Sequence, residues 1–330
     1  MKTDKKVLVT GGAGFIGSHL CERLLADGTH VVSVDNFNSY YDPDMKRRNI
    51  ADISARHSNQ FTSIAADIRD SDAIGKILKD FSPDAVVHLA AMAGVRPSIQ
   101  DPALYVDVNI NGTQVLLEAC RAAGTKDFIF ASSSSVYGNN EKVPFSETDN
   151  VDYPISPYAA TKKAGELMCH TYSHLYGFKS VCLRFFTVYG PRQRPDLAIR
   201  KFTRLLHSGE EIPFYGDGST QRDYTFIEDI IDGVTKALLW NYQRPEGSYE
   251  IFNLGESRTV SLSEMIACLE KATGKKARLK KLPMQPGDVN TTFADVSKSK
   301  RILGYDPRTS FEAGISRFVE WLNKQEKVHA

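Results

Sequence analysis

The sequence predicts an α/β fold in which helices cover both faces of a doubly wound parallel sheet. Short apolar segments alternate with amphipathic segments along the first half of the chain. A glycine-rich turn joins the first apolar segment to the first amphipathic one, and an acidic residue closes the second apolar segment. Strands buried on both faces have continuous apolar sequences, and their alternation with helices is typical of a parallel sheet.

The first strand and the turn after it predict a dinucleotide site. Residues 7–10 form the strand, Gly11, Gly14 and Gly17 follow at G-x-x-G-x-x-G spacing, and residues 18–26 form a helix. Glycines let the turn tighten and let the backbone approach a pyrophosphate, which the N–H groups at the helix N-terminus attract. The pattern is that of a Rossmann-like sheet.

The second strand, residues 30–34, ends at Asp35. A carboxylate at this place accepts hydrogen bonds from both hydroxyl groups of an adenosine ribose, and it repels a 2′-phosphate. The sequence therefore favours NAD over NADP as the bound dinucleotide.

The following elements continue the alternation and place polar residues after the strands. Strands are predicted at residues 64–66, 85–90 and 128–131, and helices at residues 70–80 and 102–123. Asp67 and Ile68 follow the first of these strands, and four serines at positions 132–135 follow the last. Ligands bind at the carboxyl ends of parallel strands, so these polar segments are predicted to face the bound groups.

Tyr158 and Lys162 lie four residues apart at the start of a predicted helix, for which Ser156 is a suitable N-cap and Pro157 a suitable first residue. Residues at this spacing share a helical face. A lysine beside a tyrosine favours the phenolate, and a tyrosine with a lowered pKa can act as a general base. A tyrosine and a lysine on a helix surface also occur at this spacing by chance. The catalytic interpretation of the pair therefore depends on the dinucleotide site predicted upstream.

The second half of the chain predicts a smaller lobe. After a strand at residues 180–185, residues 186–198 are rich in turn-forming residues and arginine. Helices are predicted at residues 226–239, 261–273 and 311–324. We expect a dinucleotide domain over residues 1–185, to which residues 226–255 return, and a substrate lobe over residues 186–330.

Composition excludes several classes of partner. Forty-one Lys and Arg residues against 40 Asp and Glu residues give a net charge of +1, which recruits neither nucleic acid nor an anionic membrane. Five widely spaced cysteines, and an N-terminus without a signal-peptide pattern, predict a reduced, cytoplasmic protein. His170 and His174 are spaced like metal ligands, but no third ligand is evident, so we predict no metal site.

Together these motifs resemble the extended short-chain dehydrogenase/reductase family. The resemblance implies that Ser133 bonds the sugar hydroxyl beside Tyr158, and that Lys162 also holds the nicotinamide ribose. Tyr158 then exchanges the hydroxyl proton. The cofactor contacts that the resemblance implies are Gly11, Gly14, Phe15, Ile16, Gly17, Asp35, Asn36, Asn38, Asp67, Ile68, Leu89, Ala90, Ala91, Asn109, Tyr158 and Lys162.

The serine cluster narrows the chemistry within that family. Its sugar-nucleotide dehydratases have Thr-Asp-Glu, and its UDP-glucuronate decarboxylases Thr-Ser-Glu, where this chain has Ser133, Ser134 and Ser135. Elimination therefore lacks its acid and base. Reversible oxidation at sugar carbon 4, with return of the hydride to the other face, is the simplest remaining reaction.

The segment at residues 184–198 resembles the UDP-glucuronate 4-epimerase branch of the family. UDP-galactose epimerases usually have Asn where Thr187 stands, and in the uronate branch the threonine and the second arginine, here Arg194, bind the sugar carboxylate. A guanidinium fork suits this role because it can hold a carboxylate through two bonds. The resemblance also implies that Arg96 approaches the hexuronate.

Further matches imply contacts with the nucleotide. Tyr215 would stack on uracil, Arg222 would bind the diphosphate and Asp288 would contact the nucleotide, whereas Gln285 replaces an arginine found in some relatives. The implied substrate contacts are Arg96, Ser133, Ser134, Ser135, Tyr158, Thr187, Arg194, Ala198, Pro213, Tyr215, Arg222 and Asp288.

The resemblance thus predicts an isomerase that keeps NAD bound and converts UDP-glucuronate to UDP-galacturonate through a 4-keto intermediate. Epimerases of UDP-glucose or UDP-N-acetylglucosamine, and UDP-glucuronate decarboxylases, are the enzymatic alternatives. A regulatory NAD-binding scaffold is the non-enzymatic one. The helices at residues 102–123 and 157–176 resemble those that form a dimer interface in the family, which predicts a homodimer.

Overall fold

The computed structural model describes residues 5–283 and 291–328, which form twelve strands and twelve α-helices. The strands are β1 Lys6–Thr10, β2 His30–Asp35, β3 Phe61–Ala65, β4 Ala85–His88, β5 Asp127–Ser133, β6 Lys179–Phe185, β7 Thr187–Tyr189, β8 Glu211–Tyr215, β9 Gln221–Phe226, β10 Tyr249–Leu254, β11 Thr259–Ser261 and β12 Arg278–Leu282. The helices are α1 Phe15–Ala26, α2 Pro43–Arg56, α3 Ser71–Phe81, α4 Val95–Gln100, α5 Pro102–Val106, α6 Gly112–Ala123, α7 Pro157–Tyr176, α8 Ala198–Ser208, α9 Ile227–Tyr242, α10 Leu262–Thr273, α11 Ser297–Leu303 and α12 Phe311–Val328.

Seven parallel strands form the central sheet in the order β10-β6-β5-β4-β1-β2-β3. The chain begins in the middle of the sheet at β1, winds outwards to β3, and then continues from β4 on the other side. The strand order therefore reverses between β1 and β4, and a crevice opens at such a point beyond the carboxyl ends of the strands. The predicted Rossmann-like fold class is confirmed.

Alternate side chains of the strands pack into separate cores on the two faces of the sheet. Val7 and Val9 of β1 belong to the core that includes α1 and α9, whereas Leu8 packs with α3, α6 and α7. Successive side chains of a strand point to opposite faces, so an uninterrupted apolar strand supplies both cores.

Several helices differ from the prediction. Helix α1 begins at Phe15 rather than at residue 18, because Gly14 already serves as its N-cap and Gly17 lies in its first turn. Helices α2, α4, α8 and α11 are not among the predicted elements. The sequence of α2, for example, is largely charged and has no clear apolar stripe. The helix predicted over residues 102–123 contains a π-helical turn at Asp107–Asn111, between α5 and α6.

The second half of the chain contributes to the central sheet and forms two smaller sheets. Strand β10 pairs with β6 at the edge of the central sheet, and α9 packs in the same core as α1. Strands β11, β9 and β7 form a three-stranded sheet, and β12 pairs with β8. Gln285 and Asp288 lie outside the described residues.

Candidate active site

A cavity of about 490 Å³ lies at the carboxyl edge of the central sheet, where the strand order reverses. Its walls come from the ends of β1, β2, β4, β5 and β6 and from the start of α1 and α7. Most of the residues proposed from sequence line it: Gly11, Gly14, Phe15, Ile16, Gly17, Asp35, Asn36, Asn38, Asp67, Ile68, Leu89, Ala90, Ala91, Ser133, Ser135, Tyr158, Lys162, Thr187 and Arg194.

The glycine turn has the close backbone approaches that a pyrophosphate cradle requires. Gly11 has a φ of +70°, and a Cβ there would lie 2.8 Å from the backbone nitrogen of Ala90. A Cβ on Gly17 would lie 2.1 Å from the carbonyl oxygen of Gly11. Gly14 is the N-cap of α1 and provides no side-chain capping bond. The first N–H groups of this helix are therefore available to phosphate oxygens at the cavity wall.

Asp35 is held in place at the end of β2. Its carboxylate accepts hydrogen bonds from the backbone N–H groups of Ala13, at 3.3 Å, and Phe37, at 2.9 Å. The ammonium of Lys46 lies 3.8 Å away. Burial raises the pKa of Asp35, and these three groups oppose that rise. The orientation suits a carboxylate that receives ribose hydroxyl groups, so the protein groups fit a bound NAD.

Asn109 is buried and does not line the cavity. Its amide accepts a bond from the Met92 N–H at 2.8 Å and donates to the Met92 carbonyl oxygen and to Thr161 Oγ1, each at 3.0 Å. It lies in the π-helical turn between α5 and α6. Asn109 thus ties the segment after β4 to α7.

The three predicted catalytic residues converge in the cavity. Ser133 Oγ accepts a bond from the Ser135 N–H at 3.1 Å and lies 3.1 Å from Ser135 Oγ. It is also near enough to the Tyr158 hydroxyl to favour a lower pKa of that group. Lys162 Nζ lies 5.9 Å from the centroid of the Tyr158 ring and donates to the carbonyl oxygen of Ala131 at 2.7 Å. Strand β5 thus presents the serine to the helix that carries the other two groups.

The electrostatics of Tyr158 differ from the expectation. Burial raises the pKa of Tyr158, while the Ser133 hydroxyl and the positive charge of Arg194 oppose that rise. Burial also lowers the pKa of Lys162 to about 8. The net effect is a raised pKa of Tyr158, whereas the sequence predicted a lowered one. Shared helical spacing brings the two residues to one face, but the ammonium turns to the Ala131 carbonyl.

Arg194 reaches the same cavity from the loop between β7 and α8. Its Nε and Nη2 donate to the two carboxylate oxygens of Asp196, at 3.0 and 2.9 Å, and its guanidinium lies 5.4 Å from the Tyr40 ring centroid. Thr187, the first residue of β7, also lines the cavity. Asp196 and Tyr40 therefore orient Arg194, a role that was not inferred from sequence, although Asp196 lies only two residues away.

An adjoining cavity of about 170 Å³ contains two more of the predicted substrate contacts, Ser134 and Arg222. Val95, Ser135 and Thr187 line both cavities, so they connect the two spaces. The remaining described residues, Ala198, Pro213, Arg96 and Tyr215, line neither of them. The Arg96 guanidinium instead lies 5.9 Å from the Tyr215 ring centroid, so these two predicted contacts are brought together.

Two tyrosines line the cavity, and a third packs against Tyr158. Tyr40 and Tyr41 both line the cavity. The ring of Tyr105 meets that of Tyr158 edge-on at 6.2 Å, and its hydroxyl donates to the Ala93 carbonyl oxygen at 2.9 Å. Tyr105 therefore restricts the position of the catalytic phenol. No sequence motif marked it.

A buried ion pair behind the cavity joins β5, β6 and α7. Arg184 Nε and Nη2 donate to the two Glu166 carboxylate oxygens at 2.8 and 2.9 Å, and Ser132 Oγ donates to the same carboxylate at 2.6 Å. Glu166 follows Lys162 by one helical turn, and Ser132 precedes Ser133. The network therefore fixes the position of β5 relative to α7.

Replacing Glu166 with alanine is expected to lower the free energy of unfolding by about 3 kcal/mol, because it leaves the Arg184 charge buried and uncompensated. Urea denaturation measures the loss. Asp80→Ala is the matched control, since it removes an exposed ion pair with Lys76 and should cost less than about 1 kcal/mol. Equal losses in the free energy of unfolding would show that the buried network contributes no more to stability than the exposed ion pair does.

Known proteins resemble this chain along nearly its whole length. Residues 8–318 match the family described as GDP-mannose 4,6 dehydratase. A UDP-glucuronate 4-epimerase of Thermodesulfobacterium geofontis is 43% identical over 315 residues, which are 95% of each chain. The crystal structure of the UDP-glucuronic acid 4-epimerase of Bacillus cereus, in complex with UDP-glucuronic acid and NAD, has a TM-score of 0.89 at 40% identity and covers 97% of this chain and 99% of that chain. A UDP-glucose 4-epimerase of Thermotoga maritima, with UDP-glucose, has a TM-score of 0.87 at 34% identity and covers 97% and 99%.

Proposed function

Because the chain belongs to the extended short-chain dehydrogenase/reductase family, we propose that it is an NAD-dependent epimerase that interconverts UDP-glucuronate and UDP-galacturonate. The glycine turn and Asp35 would hold NAD, and Arg194 and Thr187 would hold the sugar carboxylate. The relatives named for UDP-glucuronate 4-epimerization support this substrate at 40–43% identity.

The arrangement of side chains suits reversible oxidation at sugar carbon 4. Ser133 and Tyr158 line the same cavity. Ser133 would bond the carbon-4 hydroxyl, and the Tyr158 oxygen would take its proton and later return it. Bound NAD supplies the acceptor for the carbon-bound hydride and gives that hydride back. The Lys162 ammonium keeps positive charge beside the phenol, and Arg194 adds a second positive charge from the loop between β7 and α8.

One observation carries the choice of a uronate substrate: Arg194 lines the same cavity as Tyr158. Its side chain is 19% exposed, and its two bonds to Asp196 leave Nη1 for a further acceptor. A guanidinium held in a fixed direction inside a partly desolvated cavity favours a carboxylate over a neutral hydroxymethyl group. A neutral hexose would leave this positive charge without an anionic partner from the sugar.

A single product assay tests the proposal. Purified protein with NAD is incubated separately with UDP-glucuronate, UDP-glucose and UDP-N-acetylglucosamine, and the sugar products and released carbon dioxide are measured. We expect UDP-galacturonate from the first substrate, with little carbon dioxide, and much slower turnover of the neutral sugars. Faster epimerization of a neutral sugar, UDP-xylose with stoichiometric carbon dioxide, or NAD binding without turnover would each contradict the proposal.

We further propose that the protein is a homodimer that pairs through α5 and α7. Large apolar side chains on these helices are exposed: Val106 by 44%, Leu167 by 56%, Leu175 by 59% and Tyr176 by 42%. Leu167 and Leu175 are eight residues apart on α7 and therefore share a face. Exposed apolar residues grouped on one surface are typical of an interface with another molecule.

Sedimentation at micromolar concentration is expected to show a dimer. The double change Leu167→Lys and Leu175→Lys should give a monomer, because it buries two charges against apolar side chains. Leu239→Lys is the matched control: that leucine is 50% exposed on α9, outside the proposed interface, and the variant should remain dimeric. A wild-type monomer, or dissociation by the control alone, would refute the interface.

We also propose that the protein acts in the cytoplasm. Its five cysteines are free, and four of them are buried, as expected for a protein that keeps its thiols reduced. Within the described ranges no helix is long and apolar enough to cross a bilayer.

A further inference from the structure

A second cavity, of about 400 Å³, lies behind the loop that carries Arg194, between α2, α8 and α12. We call it the arginine cavity, because Arg48, Arg192, Arg200 and Arg204 all line it. Asp52 is the one acidic residue among the described residues of its lining, so the wall is strongly basic. No part of the proposed reaction uses this space.

Arg48, Arg192 and Arg204 each pair with a carboxylate, and two of these three pairs are weak. Arg192 makes two 3.0 Å bonds to Glu22, and Arg200 donates to the Gln193 carbonyl oxygen at 2.5 Å. The remaining two ion pairs are longer and exposed: Arg48 lies 4.0 Å from Asp42, and Arg204 lies 3.8 Å from Glu210. Exposed pairs at such distances contribute little, so a stronger anion can replace them.

An aromatic wall stands beside these cations. Trp321 of α12 and Tyr41 line the arginine cavity, and the Arg200 guanidinium lies 5.3 Å from the Trp321 ring centroid. A planar ring that inserts along this wall can stack on the indole and on the guanidinium plane. The volume falls in the range of about 300–1,000 Å³ that is typical of small-molecule sites, well above the need of a bare inorganic anion.

We propose that the arginine cavity binds a nucleoside diphosphate. Its phosphates would lie among Arg48, Arg192 and Arg204, because guanidinium forks match phosphate oxygens in geometry and charge. Its base would lie against Trp321. This site is separate from the catalytic cavity, whose lining shares only Tyr41 with it.

The two cavities are coupled through a short stretch of backbone. Arg192 and Pro195 line the arginine cavity, whereas Arg194, between them, lines the catalytic cavity. The stretch is anchored to α1, because the His19 ring nitrogen Nε2 lies 2.9 Å from the Pro191 carbonyl oxygen. A ligand that draws Arg192 towards itself therefore shifts Arg194. This coupling, unlike the site itself, rests on the proposed function.

Intrinsic fluorescence tests the site directly, because the chain contains two tryptophans. Trp240→Phe leaves Trp321 as the reporter. This variant, with NAD and UDP-glucuronate saturating the catalytic cavity, is titrated with ADP, UDP and pyrophosphate. We expect saturable quenching by at least one nucleotide at micromolar to low millimolar concentration, and at least tenfold weaker binding of pyrophosphate.

Two further variants in the Trp240→Phe background identify where the nucleotide binds. The double change Arg48→Ala and Arg204→Ala should weaken the quenching at least tenfold. Arg278→Ala is the matched control, since Arg278 is 69% exposed and 3.9 Å from Glu211, whereas Arg204 is 65% exposed and 3.8 Å from Glu210. Absence of quenching by both nucleotides, an unchanged affinity in the double variant, or pyrophosphate binding as tightly as the nucleotides would overturn the assignment.

The coupling has its own readout. The nucleotide that quenches Trp321 should change the KM for UDP-glucuronate at least threefold, and this change should disappear in the double variant. Quenching with an unchanged KM overturns the coupling and leaves the binding site established. Failure of the proposed function is distinguishable from both results, because it would appear as missing UDP-galacturonate in the absence of any added nucleotide.

Discussion

Tyr158→Phe is expected to reduce kcat for the epimerization of UDP-glucuronate by about 10²–10⁴-fold, the range that a positioned general base contributes. The change removes one oxygen atom and keeps the ring that packs edge-on against Tyr105. Folding and cofactor binding should therefore persist. The NAD content of the purified variant, measured after release by acid, verifies that the loss lies in the chemical step.

A tyrosine in the same cavity provides the control for this result. Tyr40→Phe also removes one hydroxyl from the cavity wall but keeps the ring beneath the Arg194 guanidinium. We expect its kcat to change only a few-fold. If Tyr158→Phe turned over at the wild-type rate while NAD remained bound, Tyr158 would not be the base, and the roles given to Ser133 and Lys162 would lose their basis.

Arg194→Ala is expected to lower kcat/KM for UDP-glucuronate by on the order of 10³-fold, because removing one partner of a buried charge pair costs about 2–5 kcal/mol. The loss should be selective. Any slow turnover of UDP-glucose should be unchanged or raised, since that sugar has no carboxylate for the guanidinium to hold. Kinetics with both substrates measure this selectivity.

The same variant tests how decarboxylation is prevented. The 4-keto intermediate of a hexuronate is a β-keto acid, which loses carbon dioxide when its carboxylate aligns with the ketone π system. Arg194 and Thr187 would hold the carboxylate away from that alignment, so Arg194→Ala should release more carbon dioxide per turnover than the wild type.

Arg308→Ala is the matched control for both measurements. Arg308 also pairs with a carboxylate two residues away, that of Asp306, at 2.9 Å, but it lines neither the catalytic cavity nor the arginine cavity. We expect it to keep the preference for the uronate and the low release of carbon dioxide. Equal effects of the two changes would mean that the effect of Arg194→Ala does not come from a contact with the sugar.

Local sequence patterns were sufficient for the fold and for most of the cofactor cavity. The glycine turn, Asp35 and the Tyr158 and Lys162 pair each depend on backbone conformation or spacing within a few residues. The predicted fold class and family are confirmed. Helix α2 escaped prediction because it lacks an apolar stripe, although Asp42 as N-cap and Pro43 as first helical residue indicate its start.

The environment of each side chain was decided by tertiary structure. Asn109 was expected to contact the cofactor, but it is buried in a π-helical turn and bonds Met92 and Thr161. The pKa of Tyr158 was expected to be lowered, but burial raises it. Hydrogen-bond partners and desolvation depend on segments that meet only after folding, so spacing within one helix does not determine them.

Residue types and their spacing supply the groups available for the reaction: a glycine turn for a pyrophosphate, a carboxylate for a ribose, and a serine, a tyrosine and a lysine for proton transfer. How these groups meet, and which other groups surround them, depends on the folding of the whole chain. Asp196 orients Arg194, the network of Glu166 fixes the position of β5 relative to α7, and the arginine cavity forms behind the loop. The reason is physical. The backbone conformation of a turn or a helix start depends on a few neighbouring residues, whereas the distances between side chains, their burial and the compensation of their charges depend on contacts between residues far apart in the chain.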